Sequence, residues 1–103
     1  MMKHNKLVRD NIPAILDSKG LKYITHTVSG NELKSYMLNK LHEEVAEFSE
    51  EPSIEELADI QEVVYGILSA YGWDKSELDE CASLKRYTNG GFTTGLILDE
   101  VVG

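Results

Sequence analysis

Apolar residues recur at helical spacing along two long stretches of this chain, with a proline between them. From Asn31 to Glu50, Leu33, Met37, Leu41, Val45 and Phe48 fall three or four residues apart, which lines one face of an α-helix. Pro52 interrupts the pattern and Ser53 offers an N-cap. Leu57, Ile60, Val64, Ile67, Leu68 and Tyr71 then carry a second stripe as far as Gly72, a C-terminal stop. Two amphipathic helices joined by a turn at Glu50–Ser53 fold back as an antiparallel hairpin.

Shorter elements flank the hairpin. Asn11 or Pro13 to Lys19 reads as a first helix, with proline in its opening turn and Gly20 after its end. Leu21–Ser29 alternates and carries β-branched residues, so it reads as a short strand or extended segment. Asp74 followed by Glu77 is a capping-box pattern that opens a last helix, ending before Gly90 and Gly91. The tail from Phe92 to Val102 holds Leu96, Ile97 and Leu98, a run able to pair with the earlier extended segment. The fold class expected is all-α: one domain over residues 1–103, a helical bundle built on the hairpin and completed by oligomerisation, with a minor short β pairing. A core this small invites a partner subunit.

Composition narrows the function. The net charge of −8 disfavours a nucleic-acid polymer as partner, because phosphate neutralisation needs clustered Lys and Arg. No stretch has the length and apolarity of a membrane span. The opening residues lack the apolar core of a secretory signal, and the single cysteine, Cys81, can form neither an internal disulfide nor a zinc site. A cytoplasmic protein with Cys81 as a small buried or half-buried filler is expected. Tyr71 and Trp73, either side of Gly72, are expected as core anchors, although an aromatic ring there has the chemistry to stack on a base. His4, His26 and His42 form no pattern.

The acidic residues do form one. Nine of the eighteen lie between Glu43 and Glu62, and no Lys or Arg occurs from His42 to Asp74. Glu44 and Glu47 are three residues apart before the turn, and Glu56 and Asp59 repeat that spacing after it. Antiparallel packing brings the two pairs level. Four carboxylates at a helix interface repel unless they hold protons or a cation, and oxygen-only ligands suit Mg²⁺, with Mn²⁺ as a substitute. The plainer alternatives are a solvated glutamate-rich face and, for Glu56, a capping-box partner of Ser53.

These residues also carry a resemblance. Glu43-Glu44-Val45-Ala46-Glu47 followed by Glu56-Leu57-Ala58-Asp59 resembles the EExxE…ExxD signature of the MazG-like, all-alpha NTP pyrophosphohydrolases, which include phosphoribosyl-ATP pyrophosphohydrolase-like members. Lys6-Leu7-Val8-Arg9-Asp10-Asn11-Ile12-Pro13 is similar to the KLVRDxIP opening of a small subfamily. Lys85-Arg86 with Gly90-Gly91-Phe92 is similar to its basic, glycine-containing C-terminal segment. The gap between Glu47 and Glu56 is shorter than in the better-known MazG proteins.

The resemblance implies hydrolysis of a nucleoside triphosphate, non-canonical or deoxy, to monophosphate and pyrophosphate, a house-cleaning type of reaction. Glu44, Glu47, Glu56 and Asp59 would hold Mg²⁺, and Glu43 or Glu62 would orient or deprotonate the attacking water. Lys6, Arg9, Lys85 and Arg86 are the candidate phosphate contacts. Each has a plainer reading: for Arg9, a salt bridge to Asp10 or to a helix-end carboxylate; for Lys85 and Arg86, favourable placement at a helix C-terminus. The resemblance implies a homodimer or homotetramer. The rival reading from a different class is a non-enzymatic acidic helical module, for dimerisation or regulation, with a vestigial metal site.

Overall fold

The computed structural model describes residues 4–103. It is all-helical, with four helices and no strand among the described residues: α1 Ile12–Ser18, α2 Gly30–Glu50, α3 Ile54–Tyr71 and α4 Lys75–Asn89. The chain divides into two compact units, the first ending at Trp73 and the second beginning at Asp74.

Local chemistry sets the helix ends. In α1, Pro13 sits in the first turn, and at the far end Leu21 N–H donates to the Leu16 carbonyl at 3.0 Å. At the start of α3, Ser53 Oγ accepts from Glu56 N–H at 3.1 Å. Gly72 ends α3 in the left-handed region (φ 73°), where a residue with a Cβ would be strained, and Trp73 N–H reaches back to the Leu68 carbonyl at 2.9 Å. The capping box of α4 forms, with Asp74 N–H donating to Glu77 Oε1 at 3.0 Å.

In the first unit, α2 packs against α3 across the turn at Glu51–Ser53. The helices approach closely at Gly66: a Cβ there would lie 2.9 Å from both Sδ and Cε of Met37. Burial is sparse. Val63 and Leu68 are the buried apolar side chains, while Leu33, Met37, Leu41, Phe48, Ile60, Val64 and Ile67 are half-buried. Val45, Leu57 and Tyr71, expected within the stripes, are each nearly half exposed. One helix packed on one other covers only part of a wide stripe.

Three expectations change. Leu21–Ser29 is irregular rather than a strand, and the tail from Phe92 is also without strand, so the minor β pairing does not form among the described residues. Cys81 is exposed, not a filler: it lies on α4, where no residue is buried. Tyr71 and Trp73 are exposed rather than core. Their rings stack on each other, centroids 4.7 Å apart and 14° between planes. Lys34 Nζ stands 4.5 Å from the Tyr71 centroid. No helix among the described residues is long and apolar enough to cross a membrane.

Candidate metal centre

The turn is short enough that the C-terminal half of α2 and the N-terminal half of α3 lie side by side. Their carboxylates converge there. Glu44, Glu56 and Asp59 each place an oxygen within 4.8 Å of the other two, joining the helices across the hairpin. Glu43, Glu44 and Glu47, all on α2, likewise bring one oxygen each within 4.8 Å of the others. The four expected ligands thus fall into two overlapping groups that share Glu44. Glu47 is exposed, because the three-residue step from Glu44 stops roughly 60° short of a full turn.

Glu44 is the centre of the arrangement. It is 6% exposed, the one buried charged residue among those described, and its Oε2 has no hydrogen-bond partner. Glu56 Oε2 is likewise buried and unpartnered. Unpartnered buried carboxylate oxygens are costly, and a hard cation would satisfy both. Burial is the largest influence raising the Glu44 pKa. The neighbouring Glu47 raises it further, and Lys40 opposes both. Glu56 makes only the serine half of a capping box, since the bond runs from its backbone N–H to Ser53.

Basic residues also reach the cluster. Lys6 Nζ donates to Glu43 Oε1 at 3.1 Å, and Arg9 Nη2 to Asp59 Oδ1 at 2.6 Å. The irregular segment Lys6–Arg9 therefore ties to both helices, one ion pair on each. Arg9 meets neither Asp10 nor a helix-end carboxylate here, but a candidate ligand. Lys40 Nζ lies 3.4 Å from both Glu43 Oε1 and Glu44 Oε1, with its side chain 17% exposed. The Glu43 pKa is pulled down overall: burial acts to raise it and is outweighed by Lys6 and Lys40 together.

Of the other candidates, Glu62 is exposed on α3 and belongs to neither carboxylate group. Lys85 and Arg86 are exposed on α4, in the second unit. The sequence reading missed Lys40, although a signal was present: it stands three residues before Glu43 and four before Glu44, the spacing at which helical side chains meet.

Comparison with known proteins found no matching family model, curated protein or solved structure.

Proposed function

We propose that the chain is a divalent-cation-dependent pyrophosphohydrolase of nucleoside triphosphates, with Glu44, Glu56 and Asp59 as its principal ligands and Glu47 at the edge of the site. One observation carries the reading: carboxylates from both arms of the hairpin converge while buried oxygens of Glu44 and Glu56 lack any partner. A solvated glutamate face explains neither the burial of Glu44 nor its position against α3. The resemblance of the EExxE…ExxD pattern supplies the reaction class.

Bound between these carboxylates, Mg²⁺ or Mn²⁺ would offset the charge of the triphosphate and favour attack by water. Water adds at the phosphorus of the α–β anhydride, the bridging P–O bond breaks, and nucleoside monophosphate and pyrophosphate leave. Glu43 is better placed than Glu62 to orient that water, since it lies within the carboxylate cluster and its neighbouring cations keep it ionised. Arg9 and Lys6, already at the rim, have the donors to take phosphate oxygens. Assembly as a homodimer or homotetramer belongs to the same reading, supported by exposed apolar side chains on the hairpin such as Leu38, Val45, Ile54 and Leu57.

Pyrophosphate release from a panel of ordinary, deoxy and modified nucleoside triphosphates, with and without Mg²⁺, tests the proposal. Release that needs Mg²⁺ and is lost in Glu56→Gln is expected. No release from any member by a protein that still binds Mn²⁺ would favour the non-enzymatic acidic module.

A further inference from the structure

Two groups of three carboxylates share Glu44, and on ligand number alone each has the means to hold a divalent ion. Their surroundings differ. In the group on α2, Glu43 Oε1 already faces two ammonium groups, Lys6 at 3.1 Å and Lys40 at 3.4 Å. Lys40 also lies 3.4 Å from Glu44 Oε1, so one ammonium bridges two members of that group. Lys6 is loosely held, its side chain 44% exposed, whereas Lys40 is only 17% exposed and fixed by its position on the same helix. The group that spans the hairpin contains both residues whose buried Oε2 atoms lack partners; Lys40 touches it only through the shared Glu44, and its other basic neighbour is the exposed Arg9 on Asp59.

We infer that the Lys40 ammonium stands in for a second divalent cation, so that the cluster takes a single ion, between Glu44, Glu56 and Asp59. The inference rests on reading the cluster as a divalent-cation site and goes on to assign its stoichiometry. An ammonium between two carboxylates supplies one positive charge and hydrogen-bond donors, and brings no coordination sites of its own. A second divalent ion beside Glu43 and Glu44 would have to displace it or bear its repulsion. Lys40 is therefore a positioning residue: it orders Glu43 and one oxygen of Glu44, leaving the other Glu44 oxygen for the ion.

Mn²⁺ titration of the full chain, followed by electron paramagnetic resonance of the free ion, reads the stoichiometry directly. The wild type is expected to bind one ion per chain, Lys40→Met and Lys40→Gln two, and Lys40→Arg one again. Circular dichroism identifies any variant that has lost its helices, and the glutamine variant retains a polar side chain should methionine fold poorly. Two ions in the wild type, or one ion at unchanged affinity in both neutral variants, would overturn the role of Lys40 while leaving the cation site standing. No Mn²⁺ bound to the wild type would remove the site itself, and the inference with it.

Discussion

Arg9 reaches across fifty residues of sequence to place its Nη2 2.6 Å from Asp59 Oδ1. Both side chains are more than a third exposed, so water screens the pair. Arg9→Gln is expected to lower stability by less than about 1 kcal/mol in urea denaturation. It should lower kcat/KM for triphosphate hydrolysis by about 10- to 100-fold, the effect of losing one charge-assisted hydrogen bond to phosphate. A variant as active as wild type would leave Arg9 a structural tether.

Glu44 gives the cluster a definite response to pH. Its folded pKa lies above the usual 4.5, chiefly through burial and then through Glu47. The folded form therefore holds that proton more tightly than the unfolded chain, and stability declines as pH rises from 4.5 through the raised value. Glu43 acts in the opposite sense: its pKa is lowered, so its contribution is present above 4.5 and is lost as pH falls through its folded value. Melting temperatures of the cation-free protein across this range should show Glu44→Gln more stable than wild type at neutral pH. The advantage should vanish once Glu44 is protonated. Mn²⁺ should raise the wild-type melting temperature and leave the variant nearly unchanged. A variant destabilised at every pH would mean that the Glu44 carboxylate stabilises the fold, against its burial.

The parts of this molecule governed by local rules were legible in the sequence. Ser53, Gly72 and the Asp74–Glu77 pair mark helix ends because capping depends on residues three or four apart. The level meeting of Glu44 with Glu56 and Asp59 followed from one short turn between two periodic stretches. The positions of Lys6 and Arg9 were not legible, since an irregular segment has no period from which to project a side chain over long range. The outward turn of Tyr71 and Trp73 was hidden for another reason: an aromatic beside a helix stop looks the same whether it packs inward or stacks on its neighbour. The buried position of Val63, just outside the expected stripe, shows that a few tens of degrees of helix rotation escape residue spacing.

Close approach of the helices at Gly66 sets up a size test. An added Cβ would lie 2.9 Å from Met37 Sδ and Cε, the far end of a flexible side chain that is able to yield. Alanine also gains roughly 0.5–1 kcal/mol over glycine within a helix. Gly66→Ala should therefore stay within about 1 kcal/mol of wild type, whereas Gly66→Leu should cost about 1–3 kcal/mol by overpacking. Urea denaturation distinguishes them. Equal stability of both variants would show that the two helices are free to separate at this level.

Assembly and catalysis separate in a mixing experiment. Val63 and Leu68 are the only apolar side chains buried among the described residues, and Leu38, Val45, Ile54 and Leu57 on the hairpin remain about half exposed or more. So thin a core gives a second copy of the chain reason to pack there, and sedimentation should show a concentration-dependent dimer or larger species. The ion pairs lead to a separate expectation. Arg9 and Lys6 already meet Asp59 and Glu43 of their own chain, so each site draws both kinds of residue from one polypeptide. Mixing inactive Asp59→Asn protein with the impaired Arg9→Ala protein should then give no activity beyond the residual turnover of the Arg9→Ala chains in hetero-oligomers of proven composition, because every site still lacks one of the two. Recovery approaching a quarter to a half of wild-type turnover, as complementation between subunits would give, would show that Arg9 serves the neighbouring chain's carboxylates in the assembled protein.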